Sequence, residues 1–368
     1  MPNEDDANDE FVWLAKQSGT ASGGHHNRNY VLPLTQRMAQ LIGREQGTRV
    51  LVRVPRADAI PVVIRTWENE ADLLGALKDL LPHVPRYLAR TATATVLSYV
   101  EGTSLSRLCP DGKPVDALHI ADLAQLLAQT TSVRREALPP LPSCWPRDDE
   151  DSQGYLRTLM ELADRQIRQP SWSVYGGLFM ALGIREDVLV HLAEYVPAMT
   201  RRPYSLLHGD LHRDNVVVTE HDGGPRLIAV DWELATYGDP IHDLATHLVR
   251  MRYPEFQQKS VIAAWSEAVG SVKPAAAHGL DEDLPHYIAF EQAQSVFPDI
   301  IRAAKSLEEG LYQGRSADEL LDEAVGAALR ALEAGAEPLG LHEVPSAATV
   351  GDVLHRWQVC RSDRREVP

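Results

Sequence analysis

Cysteine is scarce: Cys109, Cys144 and Cys360 are the only three in 368 residues, and no two lie close together. Such a set suggests neither a disulfide framework nor a CxxC metal site, and it fits a reducing cytoplasm. Long apolar runs are missing as well. No stretch approaches the roughly 18–20 uninterrupted apolar residues of a membrane span, and residues 1–10 are acidic and polar where a secretory leader is basic and then apolar. Positive charge is in deficit. With 36 Lys and Arg against 52 Asp and Glu, the formal net charge is −16, which argues against nucleic acid or an anionic membrane as partner. The same surplus would favour a cationic small molecule, or serve solubility alone.

What is present is an ordinary globular composition, 44% hydrophobic, enough for two packed lobes. After an acidic, mobile leader over 1–10, residues 11–100 mix short β-branched runs with glycine. Strands are expected over 29–34, 49–54, 62–65 and 95–99, with a short helix within 35–46. One longer helix is expected over 67–81, where Trp67, Leu73, Leu74, Leu77 and Leu80 recur at near-helical spacing before Pro82. From 101 to 335 the pattern becomes amphipathic helices, over 118–132, 152–168, 185–199, 241–251, 257–269, 286–307 and 317–334. One hairpin interrupts them, 216–219 and 226–230 joined through Asp222-Gly223-Gly224. Residues 336–368 read as an appendage, and no internal repeat is found.

The chemistry concentrates in His208-Gly209-Asp210-Leu211-His212-Arg213-Asp214-Asn215, followed after the hairpin by Val230-Asp231-Trp232-Glu233. One carboxylate precedes an amide on a loop, and a second carboxylate ends the next β-run. Phosphoryl transfer needs such a set: a base for the acceptor hydroxyl, here Asp210, and hard oxygen ligands for Mg²⁺, here Asn215 and Asp231. His208 is grouped with Asp210 as a catalytic-loop residue, holding the loop by hydrogen bonds.

These residues, with Gly238-Asp239-Pro240-Ile241-His242-Asp243-Leu244-Ala245, resemble the aminoglycoside phosphotransferase and choline kinase family of protein-kinase-like enzymes. The resemblance implies an α+β bilobal fold, with a small antiparallel sheet and one helix in the N-terminal lobe and a larger, mainly helical C-terminal lobe. It also implies ATP or GTP with Mg²⁺, bound between the lobes. Gly23 and Gly24 resemble the loop that covers the nucleotide, and Arg53 stands where the family's phosphate-anchoring lysine stands. Glu70 is the implied partner of Arg53, with Glu68 as fallback, and Ser98 and Val100 lie on the implied hinge. Asp239 and Asp243 are read as cap and loop brace.

The acceptor pocket implied beyond Asp243 offers Asp283, Glu291 and Asp299, with Glu233 beside the metal position. The function expected is transfer of a γ-phosphate to a hydroxyl of an aminoglycoside or related antibiotic or natural product. The alternatives are a metabolic kinase for choline, ethanolamine, a sugar or an amino-acid alcohol, and a nucleotide-binding pseudokinase. The protein is expected to act as a monomer or homodimer.

Overall fold

The computed structural model describes residues 4–22, 27–56, 62–82, 84–221 and 224–365. Helix α1 (Glu4–Ser18) leads into β1 (Thr20–Ser22), β2 (Asn27–Pro33), α2 (Gln36–Ile42), β3 (Arg49–Pro55), α3 (Glu70–Leu77), β4 (Tyr87–Arg90) and β5 (Thr95–Ser98). The strands form one antiparallel sheet in the order β1-β2-β3-β5-β4. Side chains alternate across a strand, so β3 sends Val50 and Val52 to the outer core and turns Leu51 and Arg53 to the other face.

The outer core also takes Phe11 and Ala15 from α1. A helix therefore begins at Glu4, inside the segment expected to be a mobile leader. Residues 62–65 form no strand. Arg65 instead donates its backbone N–H to the Gln166 side chain, 3.0 Å away in the helical half. Helix α3 starts later than Trp67, whose indole is anchored to the carbonyls of Pro139 and Pro140. Its Leu73, Leu74 and Leu77 are buried against the main core, each contributing about 1.5–3 kcal/mol.

The remainder runs through β6 (Thr103–Ser104), α4 (Leu105–Leu108), α5 (Ala117–Thr130), α6 (Ser152–Ala163), α7 (Gln169–Ala181), α8 (Val188–Glu194) and β7 (Ser205–Leu207). It continues with β8 (Val216–His221), β9 (Gly224–Ala229), β10 (Thr236–Gly238), α9 (Pro240–Met251), α10 (Glu255–Val272), α11 (Leu280–Tyr312), α12 (Ala317–Gly335) and α13 (Ala347–Arg365). Strands β8 and β9 form the expected hairpin, with β6 paired on β8. The appendage is helical and belongs to the main core: Val350, Val353 and Leu354 of α13 are buried there, and Trp357 stacks on Tyr175 of α7.

Helix α9 sets the floor of the site. Asp239 caps it, its side chain accepting the Ile241 N–H at 3.0 Å, and Pro240 occupies the first turn, where a missing N–H costs nothing. Helix α11 spans 33 residues with Pro285 and Pro298 inside it. Proline removes an intrahelical donor, and Pro298 lies where α11 lines the cavity.

Candidate active site

Between the sheet and the helices lies one continuous cavity of about 1470 Å³. Its outer end is an apolar slot. Leu51, Val62 and Leu97 come from the sheet side, Val217 and Val230 from the hairpin side, and Ser98, Tyr99 and Val100 close it. The N–H of Ser98 is already given to the Arg86 carbonyl at 2.8 Å, so its backbone has no free donor for a purine edge. Val100 forms no backbone hydrogen bond with a described residue. Gly102 follows at φ +152°, and a Cβ there would lie 2.3 Å from the Val218 carbonyl oxygen. Only glycine lets this segment press against the hairpin. Gly23 and Gly24 lie outside the described residues.

Deeper in, Arg53 joins both walls. Its guanidinium pairs with Glu70 of α3 and donates to Asp231 Oδ1 at 2.6 Å, with Glu233 3.7 Å away. Glu233 also accepts from Arg65 at 3.0 Å and from Asn27 at 3.1 Å. Burial raises the pKa of Glu70 and of Glu233; Arg53 opposes that rise in both, while neighbouring Asp231 adds to it. Arg53 is thus shared among three carboxylates, while its Nε–H is buried without an acceptor among the described residues.

Asp231 has φ 64°, a left-handed conformation unusual outside glycine and concentrated at functional sites. It follows β9 and turns the chain so that its carboxylate enters the cleft. The loop bearing Asp210 is held from behind. Asp243 accepts the N–H groups of His208 and Gly209, both at 2.9 Å. Gly209 sits at φ +71°, where a Cβ would be 2.3 Å from the Leu234 carbonyl oxygen.

Arg213, fully buried, donates to the carbonyls of Cys109, Pro110, Lys113 and Met251. It thereby ties the loop to both the segment after α4 and the end of α9. Asn215 bonds the backbone and carboxylate of Asp210, at 3.0 and 3.1 Å, while its own carbonyl accepts the Val230 N–H. Asp210, Asn215 and Asp231 thus line one cavity.

His208 does not reach the cavity. It is buried against Trp232, its Nδ1 accepts the Asp210 N–H at 3.3 Å, and this leaves Nε2–H to donate to the Val230 carbonyl at 3.2 Å. Burial keeps it neutral by lowering its pKa. It is a loop brace, which corrects its grouping with the reacting residues.

Asp210 is held at about pKa 2: burial opposes its ionisation, and Arg250, His212 and His208 together outweigh that. Arg250 Nη1 lies 2.5 Å from Asp210 Oδ1. Nothing in sequence periodicity singles out Arg250, which occupies the last turn of α9 as an ordinary helix-terminal arginine.

Beyond Asp210 the cavity opens between α9, α11 and α12. Glu291 accepts from His242 at 2.9 Å and from Gln294 at 3.1 Å, and Asp299 accepts from Arg302 at 2.7 Å. Both carboxylates line the chamber. Asp283 does not. It is buried under Arg202, 2.5 Å from Nη1, and accepts the Thr200 N–H, so the acid expected to touch substrate is spent on a buried ion pair that also holds Asp239. Glu233 lies with Arg53 and Arg65, at the opposite end from the other two. The Nε–H groups of Arg250 and Arg302 are buried without an acceptor among the described residues, each a cost of about 1–3 kcal/mol. Among the described residues no cluster of three or more His, Cys, Asp or Glu forms a metal site, and no helix is long and apolar enough to cross a membrane.

Residues 20–280 match the model of a family described as the phosphotransferase enzyme family. No curated protein sequence matches the chain. Among solved structures, a provisionally assigned aminoglycoside phosphotransferase of Ralstonia eutropha has a TM-score of 0.51 at 16% identity, covering 94% of this chain and 97% of its own. Choline kinase LicA of Streptococcus pneumoniae has a TM-score of 0.50 at 16% identity, covering 89% and 97%. Both likenesses span the sheet and the helical half, and at that identity they establish the fold.

Proposed function

The chain belongs to the phosphotransferase enzyme family, and on that premise we propose that it moves the γ-phosphate of ATP or GTP to a hydroxyl of an antibiotic or related natural product. One observation carries the reading. Asp210 and Asp231 come from separate loops into one cleft, and Asn215 ties the Asp210 loop to Val230, the residue before Asp231.

In this reading Asp210 takes the proton of the acceptor hydroxyl, which must lie within hydrogen-bond reach of its carboxylate. The apolar slot between Leu51 and Val217 holds the base, with the Val100 backbone free to meet its edge. Arg53, held on Glu70, faces the phosphates with a planar fork suited to two oxygens. The donor set of Asn215 and Asp231 fits Mg²⁺, which binds through one or two protein oxygens and takes the rest from phosphate and water. When bound, the ion neutralises charge on the phosphate oxygens as transfer proceeds. Asp231 gives Oδ1 to Arg53, and its other oxygen would be the one offered to the ion. Catalysis by this chain is then positioning and charge compensation.

The chamber favours a large acceptor. The whole cavity, about 1470 Å³ with the base slot included, exceeds the roughly 300–1,000 Å³ of a drug-sized pocket, so space remains beside a nucleotide for more than choline or ethanolamine. We read the sheet half up to residue 100 as the nucleotide lobe and residues 101–335 as the catalytic and acceptor lobe.

The test is nucleoside diphosphate release with ATP and GTP across a panel of aminoglycosides, macrolides, nucleoside antibiotics, choline and sugars, with Asp210→Ala as control. Release that needs one acceptor and vanishes in the variant supports the reading. Release that survives in the variant refutes the assignment of Asp210.

A further inference from the structure

The sheet and the helical half keep separate cores. Phe11, Leu32, Met38, Val50 and Val52 belong to the first, while Leu73, Leu74 and Leu77 of α3 are buried in the second. The segment leading into α3 crosses over as well. Val62 is buried in the main core, Arg65 gives its backbone N–H to Gln166, and Thr66 Oγ1 donates to Thr236 Oγ1 at 2.6 Å. Helix α3 and its approach are therefore fixed to the helical half. Among the described residues of β1–β5, only Leu97 and, at its edge, Leu51 join the main core. Both line the base slot, which leaves the phosphate end of the sheet to polar contacts.

Those contacts converge on one atom, Oε2 of Glu233. It accepts from Asn27 Nδ2 at 3.1 Å and from Arg65 Nη2 at 3.0 Å, with Arg53 Nη2 3.7 Å away. Register pairs Asn27 with Pro55 and Asn29 with Arg53, so Asn27 and Arg53 lie on the same face of neighbouring strands. A single carboxylate oxygen thus reaches β2 and β3 together, and Arg65 steadies it from the helical half. The turn bearing Glu233 is anchored too: the Trp232 N–H donates to Glu70 at 2.8 Å, and the Trp232 indole donates to the Ala229 carbonyl at 3.1 Å. A carboxylate turned toward phosphates would repel them. This one is buried, 9% exposed, and turned toward donors of the protein itself.

Resting on the kinase reading above, we propose that Glu233 is a positioning residue: it latches β2 and β3 onto the helical half through Asn27 and Arg53, and so sets the reach of Arg53 toward the phosphates. It contacts neither the ion nor the acceptor, and the latch takes the place of the substrate contact expected from the sequence. Because Glu233 stands two residues after Asp231 on one anchored turn, the spacing between Arg53 and Asp231 is fixed by the same segment that presents Asp231 to the cleft.

The test titrates ADP and GDP, with and without Mg²⁺, into the full chain and its variants Asn27→Ala, Glu233→Met and the two combined. For the nucleotide that binds, Asn27→Ala is expected to weaken affinity about fivefold, the worth of one hydrogen bond of ordinary net strength. Glu233→Met, which keeps the volume and removes the acceptor, should weaken it at least as much, by the same factor whether or not Mg²⁺ is present. Since Asn27 acts through Glu233, the double variant should match Glu233→Met. Glu233→Gln, which retains an acceptor oxygen, should recover part of the loss. Unchanged affinity in Asn27→Ala, a further fivefold loss in the double variant, or a Glu233→Met loss confined to the Mg²⁺ titrations overturns the proposal, the last by making Glu233 an ion ligand. If urea midpoints show that Glu233→Met does not fold, Asn27→Ala decides by itself. A wild type that binds neither nucleotide sinks the kinase reading instead. Urea midpoints of the same four proteins then test the latch, coupled losses supporting it and additive losses overturning it.

Discussion

The two ends of the cavity hold buried charge in different arrangements. At the proposed nucleotide end Arg53 meets Glu70, Asp231 and Glu233, and Arg65 meets Glu233 again. At the proposed acceptor end each guanidinium has one close carboxylate, Arg250 on Asp210 with Glu291 3.8 Å away, and Arg302 on Asp299. Arg53, Arg250 and Arg302 alike keep an Nε–H buried without an acceptor among the described residues, so the ends differ in how many carboxylates surround each guanidinium. A group shared among several partners is held in one arrangement, while one held by a single pair is freer to turn from it.

Substitutions can break that contrast, and the largest effect belongs to the point where the two ends meet. Asp210→Ala is expected to lower kcat by about 10³-fold or more with nucleotide affinity retained, since a positioned base contributes roughly 10²–10⁴-fold. An unchanged kcat in steady-state assays removes Asp210 from the chemistry. Asp231→Ala acts on the nucleotide end alone. We expect Mg²⁺-dependent nucleotide binding to weaken by about 10²-fold, read by titration with and without the ion, and tight MgATP binding in the variant refutes its metal role. Smaller again is Arg53→Lys, for which nucleotide KM should rise about tenfold as the fork is lost. Arg53→Ala would also strand Glu70, 10% exposed, at a stability cost of about 3–5 kcal/mol, so the lysine variant is the cleaner probe. An Arg53→Lys enzyme with unaltered nucleotide KM but a changed acceptor preference would dissolve the division between the ends.

The same contrast governs what could be read without coordinates. The nucleotide end lies on short motifs with fixed spacing, so the loop at 208–215, Asp231 and the strand bearing Arg53 are legible from residue types. The family resemblance names Glu70 as the partner of Arg53, and the ion pair is there. The acceptor end is assembled by three helices distant in sequence. Nothing local marks Arg250 or Arg302, and Asp283 looks as available as Glu291 until Arg202 is seen covering it. In the fold, amphipathic helices and the hairpin are legible because their periodicity reflects burial on one side. Helix α1 is missed because an acidic start hides the two buried anchors Phe11 and Ala15. Residues 62–65 mislead because β-branched composition does not reveal that Arg65 gives its backbone N–H to Gln166, a residue 101 positions on.

An effect on stability, with none on the reacting groups themselves, tests the wall between the ends. His247 of α9 touches the catalytic loop, its Nδ1 2.7 Å from the Leu211 carbonyl oxygen and its Nε2 3.0 Å from the Tyr253 hydroxyl. Burial pulls its pKa down from 6.5 to about 4, against the hydrogen bond to Leu211, which raises it. Between those values the unfolded chain binds the proton and the folded chain does not, so the neutral ring contributes stability that is complete above about pH 6.5 and lost as pH falls toward 4. At about 1.4 kcal/mol per pKa unit the loss is on the order of 3 kcal/mol. Urea midpoints of the wild type at pH 7.5, 5.5 and 4.5 should fall more steeply than those of His247→Gln, which keeps a polar side chain but cannot titrate. His208 shifts in the same direction and leaves a residual slope in the variant. Parallel profiles would mean that His247 is not the titrating brace, and that α9 holds the Asp210 loop through Asp243 and Arg213 alone.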